Sequence, residues 1–367
     1  GNIGGGGFMV IYDKETEQPY TIDFREKAPE LSTKDMYLNK NGSFNDKNLS
    51  TVGYLSIGVP GTVAGLWEVH RKFGSLPWNE LIEDAIYYAE NGFEITPFLA
   101  DILLSYSESL SIFEETKEIF QLHYPNFKNK TLVQKDLANT LKIIASRGSK
   151  GFYEGEIAEK ISSEIIRNNG LISKSDLKNY SPVWRVPLIS NYRDTEIITM
   201  GPPSSGGLHV IQMLNILENY DLKKIGHNSF EYINLLTEVM KFAYADRSKY
   251  LGDPDFYDVP IRKITSKKYA DEINKNIQIG KLTPVNEINP GKYMDGESHE
   301  TTHFSVVDKT GNVISMTYTL NSTFGSKVVI EGTGILMNNE MDDFSAAPGI
   351  PNQFNLLGAE ANEIAPF

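Results

Sequence analysis

The 367-residue sequence predicts an α+β fold, on three observations. Apolar and polar residues alternate with a period of two near both ends, the middle carries apolar residues at helical spacing, and a loosened stretch near residue 290 separates middle from end. At the start, Gly4-Gly5-Gly6-Gly7 runs into Phe8-Met9-Val10-Ile11-Tyr12, and Thr21-Ile22-Asp23-Phe24 follows a polar turn, which reads as a hairpin. From about residue 60 the period changes. Pro60-Gly61-Thr62 opens a helix with Leu66, Val69 and Phe73 on one face, and Gly74 closes it.

The next helix runs from Asn79 to Asn91, with Leu81, Ile82, Ala85, Ile86 and Ala89 at helical spacing and Gly92 behind it. Ile157, Ala158, Ile161 and Ile165 repeat the pattern before Asn169-Gly170. Alternation returns between Val183 and Met200, after which Pro202-Pro203-Ser204-Ser205-Gly206-Gly207 leads into an apolar helix over about 208–217. A long helix is predicted over 230–251. The chain then loosens through Pro284, Asn289-Pro290-Gly291 and Gly296, which reads as an exposed linker. Beyond it, His303-Phe304-Ser305-Val306-Val307, the turn Asp308 to Asn312, and Val313 to Leu320 form a hairpin that begins at Thr301. No internal repeat or low-complexity segment interrupts this order.

Hydrophobic residues make up 40% of the chain and charged residues 23%, the balance of an ordinary globular protein. The net charge of -13 is spread over many separate acids, so the basic surface that a nucleic-acid backbone requires is missing, and no nucleic-acid partner is expected. Cysteine is absent, which excludes disulfides and thiolate chemistry. No apolar run approaches the roughly 18 residues of a membrane helix. The start, Gly1-Asn2-Ile3-Gly4, has neither an initiator Met nor a basic-then-apolar signal, and Phe367 ends the chain without a cap, so a fragment or partial gene product is expected.

The glycine run lacks the Lys-Ser or Lys-Thr of a phosphate cradle and does not fit GxGxxG, so it reads as a tight backbone approach, with no nucleotide. The six His residues include no HExxH pair; His299 and His303 lie close in sequence, but polar contacts explain them better than a metal. Neither a cofactor nor a catalytic metal is expected.

A threonine hydroxyl is a weak nucleophile and needs a base beside it, and no Ser-His-Asp or Cys-His arrangement is evident. The α-amino group of a chain terminus, with a pKa of about 7.7–8.0, would serve if Thr301 became the first residue of a new chain. Taken alone, Thr301-Thr302 also fits the start of an edge strand, where β-branched residues are common.

Glu300-Thr301-Thr302-His303-Phe304-Ser305-Val306-Val307-Asp308 resembles the start of the small subunit of γ-glutamyltranspeptidases. Gly4 to Met9, Asp23-Phe24-Arg25-Glu26-Lys27-Ala28-Pro29, Gly58 to Gly65, Pro202 to Gly207 and Tyr244-Ala245-Asp246-Arg247-Ser248 resemble large-subunit motifs of that family in the family's order. The resemblance implies a four-layer αββα sandwich of the N-terminal nucleophile hydrolase type, here incomplete at both ends. Residues 1–300 would be the large-subunit portion and residues 301–367 the start of the small subunit, with self-cleavage between Glu300 and Thr301.

On that resemblance Thr301 is the nucleophile, and Thr319, in Thr317-Tyr318-Thr319-Leu320-Asn321, lies beside it and holds its amino group. Arg25 clamps the substrate α-carboxylate, Glu340 and Asp343 take the ammonium, Asn321 contacts the α-substituents, and Phe354 is the aromatic residue of a substrate lid. The implied reaction is γ-glutamyl transfer or hydrolysis, with glutathione or glutamine as donor and an amino acid, a peptide or water as acceptor. Periplasmic or secreted location is implied too. A cephalosporin acylase-like amidase, a poly-γ-glutamate depolymerase and an uncleaved, inactive scaffold are the alternatives. Complete members carry a Ser-Ser pair and a Gly-Gly turn after the lid that complete the oxyanion site, so this polypeptide alone is expected to be nearly inert.

Overall fold

The computed structural model describes residues 3–43, 48–122, 127, 130–284, 287–288, 301–345, 352–353 and 360–366. Strands β1 (Gly6–Asp13) and β2 (Gln18–Asp23) pair antiparallel, with Phe8 opposite Asp23 and Asp13 opposite Gln18. The Asp13 carboxylate closes the turn by accepting from the Glu15 amide and the Thr16 hydroxyl at 3.1 and 2.7 Å.

Helices α1 (Thr62–Phe73), α2 (Trp78–Asn91), α3 (Lys135–Arg147) and α4 (Glu156–Arg167) fill the middle. Shorter helices, the longest of them Pro97–Ser105, lie between α2 and α3, in a stretch for which the sequence predicts no helix. Strand β3 (Val183–Arg185) pairs with β2, whereas β4 (Leu188–Tyr192) and β5 (Thr195–Thr199) form a hairpin of their own. The alternating stretch 183–200 is thus divided between two sheets, because Pro187 has no amide hydrogen to continue a ladder.

Helices α5 (Ser205–Leu217), α6 (Phe230–Tyr250) and α7 (Lys267–Asn274) pack together through Ile216, Leu235, Val239 and Ile273. The predicted linker begins more firmly than expected. Thr283 donates its amide to Glu238 and accepts from Lys241, and Ile288 is buried against this helical cluster, since an apolar side chain gains by leaving water. Most of the remaining linker lies outside the described residues.

Strands β6 (Thr302–Val307) and β7 (Val313–Thr319) form the second long hairpin, and two short strands follow, β8 (Val329–Ile330) and β9 (Ile335–Leu336). The two long hairpins join into one antiparallel sheet of order β3-β2-β1-β7-β6, with Gly6 opposite Thr319 and Met9 opposite Met316. One face of this sheet buries Met9, Ile11, Ile22 and Met316 against Val69 of α1. A second core joins Ile157, Ile161 and Ile165 of α4 to Ile330 and Ile335. Full burial of one such isoleucine contributes about 1.5–3 kcal/mol.

The glycine run makes the close approach that its sequence predicts. A Cβ on Gly5 would lie 1.8 Å from the Thr319 carbonyl oxygen, and one on Gly7 would lie 2.3 Å from that of Thr317. Only bare backbone lets β1 lie against the end of β7.

Candidate active site

Thr302 pairs with Tyr318 across β6 and β7, so the next position on each strand sets Thr301 beside Thr319. Thr301 is exposed just before β6, and Thr319 ends β7 opposite Gly6. The Thr319 hydroxyl oxygen accepts the Asn321 amide at 2.9 Å. Asn321 stands in the left-handed region, at φ 76°, which asparagine tolerates, and its side chain donates to the Asn339 carbonyl at 3.0 Å. Asn321 is buried behind the cavity described next and does not line it.

Thr301 and Thr319 face a cavity of about 240 Å³ together with Arg25, Glu340 and Asp343. Five predicted residues, from the end of β2, the start of β6, the end of β7 and one short helical turn, therefore line a single cavity. Arg25 follows the last residue pair of β2; its Nε donates to Glu26 Oε1 and Oε2 at 3.0 and 3.2 Å, and its Nη2 donates to Asp343 Oδ2. Glu340 and Asp343 bound a short 3-10 helix. Glu340 Oε1 accepts the Gly6 amide at 3.3 Å, while its Oε2 is buried with no hydrogen-bond partner among the described residues. Asp342 points elsewhere, accepting from Ser50 Oγ at 2.9 Å and the Gln353 amide at 3.2 Å. Phe354 and Glu300 lie outside the described residues.

The charges are unequal. Burial works against the Arg25 guanidinium, but Glu26, Asp343 and Glu340 more than offset it and hold its pKa above the ordinary value. Burial pushes the Glu26 carboxyl up to about 8 despite Arg25, with Asp343 adding to the rise. Burial, with Glu26 and Asp343 beside it, raises the Glu340 carboxyl well above the usual carboxylate range. Arg25 thus stands among three carboxyl groups, which if all ionised would leave two negative charges that its guanidinium cannot offset.

Four lining residues lay in motifs without a role assigned from sequence. Glu26 follows Arg25 directly, Ser204 and Ser205 open α5, and Arg247 projects from α6. Their shared signal was membership of the quoted motifs; their convergence is a property of the fold. His303 does not line the cavity; its Nδ1 lies 2.7 Å from the Thr317 hydroxyl of β7. Among the described residues no three His, Asp or Glu side chains are gathered to hold a metal ion, and no helix is long and apolar enough to cross a membrane.

The family model described as gamma-glutamyltranspeptidase matches residues 1–367. The glutathione hydrolase proenzyme of Escherichia coli (strain K12) is 48% identical over 368 residues, covering 100% of this chain and 63% of that protein. The gamma-glutamyltranspeptidase structure from Helicobacter pylori matches with a TM-score of 0.77 and 44% identity, over 82% of this chain and 86% of that chain. The cephalosporin acylase structure from Bacillus halodurans matches with a TM-score of 0.81 and 25% identity, over 97% of this chain and 65% of that one. The fold is therefore the α+β type of the N-terminal nucleophile hydrolases, and the chain spans just under two thirds of the length of the E. coli relative. The chain belongs to the gamma-glutamyltranspeptidase family.

Proposed function

We propose that the protein is a γ-glutamyl transferase and hydrolase, made as a precursor and activated by cleavage between Glu300 and Thr301. The observation that carries this reading is the convergence of Thr301, Thr319, Arg25, Glu340 and Asp343 on one cavity. A γ-glutamyl donor bears a carboxylate and an ammonium on one carbon. The planar fork of Arg25 suits the carboxylate, and the excess of carboxyl groups suits the ammonium.

In activation, Thr301 Oγ attacks the Glu300 carbonyl carbon and the peptide C–N bond breaks, leaving an ester and a free α-amino group. Water hydrolyses the ester and leaves a Glu300 carboxylate and the Thr301 hydroxyl. In turnover that amine takes the hydroxyl proton as Oγ attacks the γ-carbonyl of the donor. The proton passes to the departing amine, and the γ-glutamyl ester is then released to an acceptor amine or to water. Thr319 orients the amino group, and Asn321 supports the site from behind through Asn339. Phe354 serves as the aromatic lid residue.

The donors are glutathione, glutamine and related γ-glutamyl amides; amino acids, peptides and water are the acceptors. Two chains cut from one precursor stay together, and the protein works outside the cytoplasm. The likeness to a cephalosporin acylase favours a second reading as an amidase, but the Arg25, Glu340 and Asp343 set argues for a free amino-acid head group.

The full-length gene product, incubated after purification, is expected to yield a new N-terminus at Thr301 and to hydrolyse a γ-glutamyl anilide. Thr301→Ala is expected to remain one chain on a denaturing gel and to lose hydrolysis at least a thousandfold, roughly the scale of removing a nucleophile. A terminus elsewhere together with retained activity would sink the reading.

A further inference from the structure

The cavity holds two guanidinium groups, and they are not equivalent. Arg25 is engaged by Glu26 and Asp343, whereas Arg247 has no hydrogen bond or ion pair from its guanidinium among the described residues. It is only partly exposed, and burial pulls its pKa below the ordinary value even with Asp343 nearby. A half-buried cation whose nearby acid, Asp343, is already bonded to Arg25 is only partly compensated, so an anion brought by a ligand would be stabilised beside it.

Its surroundings suit an anion. The neighbouring Asp246 is fixed on the inner side of α6, accepting from Gln212 Nε2 at 2.5 Å and from the Tyr269 hydroxyl at 2.9 and 3.0 Å. This tie packs α6 against α5 and α7 and leaves Arg247 to line the cavity. Ser204 and Ser205 line it too, at the start of the 13-residue α5, where no side chain caps the first amides. Leu251 and Gly252 line the cavity as well.

We propose that Arg247, with Ser204 and Ser205, binds a second carboxylate: the one carried by the group beyond the scissile amide, first on the leaving peptide and then on the acceptor that replaces it. The assignment rests on the γ-glutamyl reading above. With Arg25 taking the α-carboxylate of the glutamyl group, a peptide donor such as glutathione and an amino-acid or dipeptide acceptor each bring one further carboxylate. The cavity offers one further cation. Arg247 is thereby a specificity-determining residue for the departing and incoming groups, and acceptors without a carboxylate are disfavoured.

The test compares two donors in the processed full-length protein, γ-glutamyl-4-nitroanilide and γ-glutamyl-3-carboxy-4-nitroanilide. Loss of a charge-assisted bond corresponds to about tenfold or more. Arg247→Gln is therefore expected to lower the ratio of kcat/KM for the carboxylated donor to that for the neutral donor by about tenfold, and Arg247→Lys is expected to restore part of it. Equal losses for both donors, with the ratio kept, would overturn the assignment and leave Arg247 a structural role or a part in holding the α-carboxylate.

A binding measurement needs no turnover. Titration of glycylglycine and glycylglycinamide into Thr301→Ala protein is expected to show tighter binding of the acid, and Thr301→Ala/Arg247→Gln to abolish that difference. A preference for the acid that survives in the double variant refutes the proposal. Hydrolysis of neither anilide by the unsubstituted protein would instead remove the γ-glutamyl reading, and the titration would still decide whether Arg247 binds a carboxylate.

Discussion

Glu26 and Glu340 set the pH behaviour of the site at the scale of single residues. Both are buried, and Arg25 can neutralise only part of the charge that they and Asp343 would carry. Burial pushes the Glu26 carboxyl up to about 8 and raises Glu340 above the usual range, so both acids hold their protons more firmly than ordinary carboxyl groups do. A bound ammonium favours the ionised carboxylates and lowers their pKa values, and the complex holds fewer protons than the free protein. Affinity is therefore expected to rise with pH through neutrality toward about 8, the Glu26 value, as long as the ligand amine keeps its own proton. Calorimetry of glutamate binding in two buffers of different ionisation enthalpy should show proton release, and Glu26→Gln should diminish it. Binding with no proton release would place the acids already ionised. Arg25, Glu340 and Asp343, which line the cavity, were singled out in the sequence by the family resemblance of their motifs. Glu26 was not, since an acid next to an arginine in sequence is by default a surface pair.

Among elements, the segment joining β7 to β8 bears the largest burden. In residues 321–327 four positions, Asn321, Phe324, Gly325 and Lys327, have φ between 48° and 76°, and only one is glycine. Left-handed backbone at a bulky residue costs of order 1–2 kcal/mol, so something must hold the loop. The buried Lys327 ammonium does so from within, donating to the carbonyls of Gly325, at 2.9 Å, and Thr323, and approaching Ser322 Oγ at 3.4 Å. Ser322 in turn donates its amide and hydroxyl to Asn339 Oδ1, each at 3.0 Å, next to Glu340. Lys327→Met strands these buried carbonyls and is expected to cost about 2 kcal/mol of stability, read as a lowered urea midpoint. Donor KM should rise with it, because the loop carries Asn321 and braces Asn339. An unchanged midpoint would show that the loop holds its shape without the ammonium. Sequence pattern announces strands and helices through their periods, and both long hairpins and the helices α1, α2, α4, α5 and α6 were read that way. A loop built around an internal lysine has no period, and its lysine looks like any surface lysine.

For the whole molecule, the decisive event is the pairing of β1 with β7, which unites strands more than 300 positions apart in sequence. Alternation identified each hairpin but cannot say which hairpins share a sheet, because period two is the same at every sheet position. The family resemblance supplied what local pattern lacked, and the glycine run gave the one physical hint, bare backbone awaiting a close neighbour. The resulting sheet ends in β6, whose six residues are all exposed, with Phe304, Val306 and Val307 at 41%, 52% and 67%. Its outer edge pairs with no strand among the described residues. An apolar edge next to Thr301 is a template for another strand, and the net charge of -13 opposes self-association only at long range, where salt screens it. The 367-residue polypeptide is therefore expected to self-associate in a concentration- and salt-dependent way, visible by light scattering. Val306→Lys, which puts a charge on that edge, should reduce scattering without lowering the urea midpoint by more than about 0.5 kcal/mol equivalent, the usual range for an exposed site. Association that is unchanged in Val306→Lys and insensitive to salt would move the sticky surface away from β6.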